Sequence, residues 1–504
     1  MKAGADSGRM RDIVILGGGT AGWMAAAVLA RGLGNAVRIT LVESAAIGTV
    51  GVGEATIPQI QHLNRFLGLD EGEFLKASEG TIKLGIRFEG WWRADAGYIH
   101  AFSDIGVAAG LIGFHHYWLR ARKELGPETA GDLWDHSLNA VAAARARFAP
   151  MDRVGETPVP GTRHAYHFDA SLYARLLRSH AESMEVRRIE GRVVAVERVA
   201  ESGEIAALLL DDERRVAGDF FIDCSGFRAL LIESEMQAGF EDWSHWLPCD
   251  RAVAVGCAPV RPYPPFTQAF ARPAGWQWRI PLRHRTGNGH VYASALIDDD
   301  EATRTLLDHL DGAPVGEPRV IRFRAGRRRA AWVGNCLALG LAGGFLEPLE
   351  STSIHLVQSG LQRFLEMWPA RPASPALVAE YNHRTAKEWE AIRDFLILHY
   401  HRNARTDGEL WRACREMTIP DRLAQRLALF AESARIYPEP DELFTEMAWL
   451  QVMIGQGLYP NDHHPIADLM PADELADFLA RIREIIARAV SAMPSHDEFL
   501  ARIS

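Results

Sequence analysis

The sequence is poor in cysteine, and what it has is not arranged for cross-linking. Cys224, Cys249, Cys257, Cys336 and Cys414 are scattered, odd in number and form no CxxC, so neither a disulfide framework nor a zinc site is implied. Positive charge is also in deficit. A formal net charge of −10 argues against nucleic acid or an anionic membrane as the main partner. No uninterrupted apolar run is long enough to span a bilayer, and the Asp/Ser/Gly-containing start lacks the pattern of a signal peptide. Nothing repeats at a fixed period. What is present is a 504-residue chain, 48% hydrophobic and 24% charged, which reads as a globular protein of the reducing cytoplasm. Its length suits two or three domains, or one large domain with an added subdomain.

The most informative stretch is DIVILGGGTAGWMAAAVLARGLG, from Asp12 to Gly34. The apolar run Ile13 to Leu16 leads into glycines and then into an alanine-rich segment with helical spacing, which predicts strand, tight turn and helix. Gly17 permits the turn, Gly19 lets backbone N–H groups approach a pyrophosphate at the helix N-terminus, and Gly22 lets the helix lie close to the strand. A second apolar run, Val37 to Val42, ends at Glu43, where an acidic side chain would accept hydrogen bonds from a ribose diol. Together these predict a dinucleotide-binding unit.

Further along, the glycine-rich stretch Ile47 to Pro58 can bring backbone close to a cofactor, and residues 81 to 92 alternate as a strand with Lys83 inside it. By position alone Lys83 reads as a solvated charge. Tyr98, His100 and Phe102 would share one face of an extended segment, as a core cluster or an aromatic-binding wall. The segment from Arg163 reads as a loop entering a helix at Asp169 or Ser171. Val186 to Val199 reads as a strand, and the segment from Phe220 as a buried strand ending in a glycine turn. GWQWRIPL puts Trp276 and Trp278 on one side of a strand. Val333 to Trp368 predicts strand, glycine-rich turn and helix, with Ser351, Thr352 and Ser353 before the helix; its free N–H groups would hold a small anion, unless those hydroxyls simply cap it. The run Arg327 to Arg329 reads as a solvated charge cluster. Strands alternating with distant helices point to an α/β flavoprotein in which cofactor segments return several times. The expected division is a core over residues 1–373 and an all-helical subdomain over 374–504, with breaks near Pro420, Pro438 and Pro460.

With GGGTAGW, the lysine strand, WQWRIP, PLEST, FDA at Phe168 and DCSGF at Asp223 taken together in this order, the chain resembles the flavin-dependent tryptophan halogenase family. The element Trp276, Trp278, Ile280, Pro281 is what marks halogenases among flavin monooxygenases. The resemblance implies an FAD-binding fold of the glutathione-reductase/hydroxylase type. It implies FAD supplied reduced by a separate NADH-dependent flavin reductase, with dioxygen and chloride or bromide as co-substrates. Cofactor contacts carry over to Gly18, Thr20 and Ala21, to Ala55, Val193 and Ile354, and to Gly340 in the later glycine turn. Halide would lie near Thr352 and Ser353. Lys83 would be the catalytic lysine and Glu350 the catalytic glutamate, while Trp276 and Trp278 would stand between flavin and substrate.

Loose hypohalous acid would oxidise any Met, Cys or Trp it met, so such an enzyme must conduct it internally to the substrate. A buried amine can do this by hydrogen bonding to the oxidant or by becoming an N-haloamine. Two departures from the family matter. Ser353 stands where the family commonly has glycine, which favours larger halides. The region from Trp449, WLQVMIGQGLYPNDHHPIADLM, does not match the segment that grips the amino-acid moiety of free tryptophan. The expected substrate is therefore an indole-type arene, flanked by His100 and Phe102 and covered by Trp449. His463 and His464 read as loop residues rather than metal ligands, with no carboxylate at ligand spacing. The runner-up activity is FAD-dependent aromatic hydroxylation, and a flavin-binding sensor or carrier is the alternative outside catalysis.

Overall fold

The computed structural model describes residues 10–45, 53–369 and 372–503. The first half of the glycine-rich stretch Ile47 to Pro58, and two residues just before the expected boundary at 373, lie outside them. The first strand, Asp12–Leu16, pairs in parallel with Arg38–Glu43 on one side and Phe220–Asp223 on the other, within a six-stranded sheet completed by Arg187–Glu190, Cys336–Ala338 and Trp332–Val333. Helix Thr20–Leu33 buries Trp23, Met24 and a run of alanines against it. The small side chains let neighbouring helices approach closely: a Cβ added to Gly32 would lie 2.9 Å from Leu365 of helix Ser353–Glu366.

A second, seven-stranded sheet runs in the order Pro314–Arg322, Arg251–Cys257, Thr286–Tyr292, Gly275–Pro281, Thr267–Arg272, Gly85–Glu89, Gly97–Ala101. A three-stranded sheet, Gly53–Ala55, Ala165–Asp169 and Thr81–Lys83, lies beside it. From Pro375 on the described chain is helical, beginning with the 27-residue helix Pro375–His401. One apolar cluster extends from Met10 to Leu500, so these helices share a core with the nucleotide-binding sheet.

The α/β architecture is the expected one, and the differences are local. Residues 81 to 92 form two strands in two sheets, because the backbone of Leu84 leaves the first ladder to bond Pro265 O (2.7 Å) and Phe102 N (3.0 Å). Val186 to Val199 likewise divides at Gly191 into strands of different sheets. The segment before Asp169 is strand rather than loop, and Asp169 caps the following helix through Ser171 N (2.9 Å) and Leu172 N (3.1 Å). The arginine run is not merely solvated: Arg327 pairs with Glu241 (2.7 Å) and Glu390 (2.8 Å), and Arg328 with Glu233 (2.6 Å).

Candidate active site

The glycine turn opens onto a cavity of about 660 Å³. Gly17, Gly18, Gly19, Thr20, Ala21, Glu43, Ala55, Val193, Gly340 and Ile354 all line it, as does Trp278. Gly17 has φ +119°, and a Cβ there would lie 2.2 Å from Cys224 O, so only glycine fits. Gly22 stands away from the cavity, where a Cβ would meet Gly17 O at 1.8 Å; it serves the helix–strand approach. Gly19 is the helix cap with no side-chain capping bond, no acidic residue follows in the first turn, and nothing lies within 4 Å of its missing Cβ. This open, positive helix end in a mostly apolar cavity fits the pyrophosphate and ring system of FAD. Glu43 is held by Arg188, with Arg178 at 3.8 Å, and sequence spacing gave no sign of either partner.

Lys83 is fully buried. Its strand is pinned by Thr81, whose hydroxyl bonds Pro281 O (2.7 Å) at the end of the tryptophan strand and His167 Nδ1 (2.9 Å). Lys83 Nζ donates to Ser351 Oγ at 2.7 Å and lies 5.2 Å from the centre of the Phe102 ring. Ser351 itself lines the cavity, so one hydroxyl joins the amine to the nucleotide site. Burial pushes the Lys83 amine down to about 7, with the Glu350 carboxylate opposing the fall.

Glu350, also fully buried, ends the short turn Pro348–Glu350. His100 Nδ1 stands 2.8 Å from its Oε2, and His399 Nε2 lies 2.9 Å from its Oε1, off the straight hydrogen-bond line. Burial acts to raise this carboxyl, but the imidazoles of His100 and His399 more than reverse it and hold it at about 2. Glu347, equally buried, accepts from Trp276 Nε1 (2.8 Å) and Tyr400 Oη (2.5 Å); burial outweighs these neutral donors and pushes it up to about 7. Neither Glu347 nor His399 stood out in the sequence.

Thr352 is buried and caps helix Ser353–Glu366 without a side-chain bond, which removes the simple capping explanation, and Ser353 faces the cavity. Trp276 sits behind Trp278, ring centres 6.1 Å apart, and turns toward Glu347. His100 lies 6.3 Å from Phe102 and 5.7 Å from Phe395, ring centre to ring centre. Trp449 is one ring further back, 4.8 Å from Phe395 and under the Arg426 guanidinium. Contrary to the expectation for His463, a carboxylate does stand beside it: the fold holds Asp468 Oδ1 2.7 Å from its Nε2, with Glu124 near enough to complete a metal-capable group. Arg120 already spans both acids, at 2.9 Å from Glu124 and 3.6 Å from Asp468.

A glycine-turn nucleotide cavity with a buried lysine, glutamate and aromatic cluster against its wall is the arrangement of a flavin-dependent enzyme that keeps a reactive amine inside the fold. Whole-chain comparison agrees: the tryptophan halogenase family model matches residues 12–472, and the chain belongs to that family. It is similar to the tryptophan 6-halogenase of Streptomyces toxytricini, 34% identical over 97% of each chain. Among solved structures it is similar to a flavin-dependent halogenase from Xanthomonas campestris, with TM-score 0.94, 49% identity and 98% of each chain covered. A flavin-dependent halogenase from Brevundimonas sp. gives TM-score 0.93 and 45% identity over 98% of this chain and 99% of that one. These relatives do not favour the hydroxylase alternative. The enzyme uses FAD in reduced form with dioxygen and halide, relies on a separate flavin reductase, and acts on an aromatic substrate. No helix among the described residues is long and apolar enough to cross a membrane.

Proposed function

We propose that this enzyme places chlorine or bromine on a small electron-rich arene such as indole, using hypohalous acid delivered to Lys83. Reduced FAD, with dioxygen and halide, supplies that oxidant when bound. The observation that carries the reading is the contact of the solvent-sealed Lys83 Nζ with Ser351, a residue of the cavity wall. An amine near 7 offers both forms at neutral pH. The ammonium donates a hydrogen bond to the hypohalous oxygen and makes the halogen more electrophilic; the neutral amine exchanges an N–H proton for halogen and releases water. Glu350, ionised, takes the proton that the halogenated ring must lose.

Thr352 and Ser353 hold the halide at the start of their helix, and the Ser353 side chain favours bromide over chloride. His100 and Phe102 flank the arene, Trp449 backs that wall, and the helices after residue 374 cover it. Trp278, with Trp276 behind it, keeps substrate from the flavin. NADH is the reductant of the partner reductase, and five unpaired cysteines suit the cytoplasm. The test is incubation with a flavin reductase, NADH, FAD, bromide and a mixed arene library, read by mass spectrometry. Brominated indole-type products are expected; hydroxylated products formed equally well without halide would refute the reading.

A further inference from the structure

His399 and Tyr400 are consecutive on helix Pro375–His401, and they face the two buried carboxylates of one turn, Glu350 and Glu347. The proton count at His399 follows from its partners. Its Nδ1 lies 2.9 Å from Phe395 O, and a carbonyl can only accept, so Nδ1 carries a proton. A bare Nε2 would leave two lone-pair atoms, itself and Glu350 Oε1, 2.9 Å apart inside the core, whereas an Nε2–H, though angled off the line to Oε1, relieves that repulsion.

We propose that His399 is a positioning residue for halogenation: a proton on its Nε2 makes the imidazole a cation beside Glu350 Oε1, which together with His100 keeps that buried carboxylate ionised and fixed. This rests on the reading of Glu350 as the group that takes the ring proton. In that step the C–H electron pair returns to the ring and the proton passes to Glu350, which only an ionised carboxylate can accept. The surroundings suit a cation. Phe88, Phe395 and Trp91 ring His399 with centres at 4.8, 5.2 and 6.1 Å, and Gln456 Nε2 binds its carbonyl at 2.7 Å. Glu347 is the internal control: the same turn and the same burial, but with a phenol and an indole for partners, it sits at about 7 where Glu350 sits at about 2. The other titratable groups facing Glu350 are Lys83 and His100, and Tyr98, whose phenol is raised by burial and by Glu350.

The experiment compares pH profiles of halogenation for the wild type and His399→Gln, which can still hydrogen-bond but carries no charge. His100 still faces Oε2 in the variant, so Glu350 should rise only part of the way toward Glu347, and kcat at pH 5 relative to pH 8.5 falls at least about threefold further than in the wild type. KM for the arene should stay within about twofold, since the lost group acts on proton transfer rather than binding. The limb due to Lys83 is common to both proteins and cancels. An unmoved profile, with kcat lowered equally at every pH, would overturn the proposal and leave His399 a packing residue. Should the variant not fold, histidine nitrogen NMR of the wild type at pH 7 decides instead: both ring nitrogens of His399 protonated, or bridged to Glu350, is expected, and a bare Nε2 refutes it. A wild type that never halogenates would instead remove the proposed function, and with it the premise of this one.

Discussion

Replacing Lys83 with methionine should abolish halogenation and, below neutral pH, make the protein more stable. Each tenfold change in proton affinity is worth about 1.4 kcal/mol, so a fall from 10.5 to about 7 means that holding the cation here costs the fold about 5 kcal/mol. Methionine has a similar shape and no charge. Its own penalty is the Ser351 hydroxyl left without its donor, about 1–3 kcal/mol. The balance is a gain of about 2–4 kcal/mol, and with an unfolding entropy of about 2 cal/mol/K per residue this raises Tm by about 2–4 °C. The sign follows from linkage. Between about pH 7 and 10.5 the unfolded chain binds a proton at residue 83 that the folded chain does not, so the wild type gains stability as pH rises through that window. The advantage of Lys83→Met should therefore be largest at pH 6.5 and shrink by pH 9.5. Calorimetry at one scan rate at both pH values makes the comparison, with reoxidation of reduced FAD followed alongside and expected to continue. A variant less stable than the wild type at pH 6.5, or a Tm gap independent of pH, would refute the claim that burial sets the character of this amine.

Glu350→Gln should lower kcat about 10²–10⁴-fold while flavin reoxidation proceeds, measured by single-turnover product formation against flavin absorbance. Gly18→Ala should weaken FAD binding by about tenfold or more in a fluorescence titration, because a Cβ there would lie 1.4 Å from Glu43 Oε2 and displace that side chain from the cavity. Ser353→Gly should raise the ratio of chlorinated to brominated product, by up to about tenfold, in a competition assay with both halides.

Where a structural requirement is local, the sequence shows it. Gly17, Gly19 and Gly22 mark their turn because the steric demand falls on neighbouring residues, and Ile354, Val357, Leu361 and Phe364 mark their helix because one face must be buried. Where a requirement is met across the fold, it does not. Lys83 looked like a surface charge, since nothing adjacent announces that Ser351 and Phe102 will enclose it. His399 lies inside an apolar helical run, where a lone imidazole has no pattern to set it apart. Alternation from 81 to 92 gave no sign of the exchange between sheets at Leu84, because both strands bury the same kinds of side chain. Asp468 meets His463 within one short turn, five residues on, whereas Glu124 reaches it only through the packing of helix Phe114–Glu124 against that loop.

Ser351 holds φ at +58°, a left-handed backbone that disfavours every side chain by about 1–2 kcal/mol and that glycine would adopt without strain. Yet glycine has no oxygen for the Lys83 amine to meet. A directed-evolution screen that ranked variants of this enzyme by heat tolerance alone would thus reward methionine at 83 and, once the amine is gone, glycine at 351. Both winners would be robust proteins that had forgotten their chemistry.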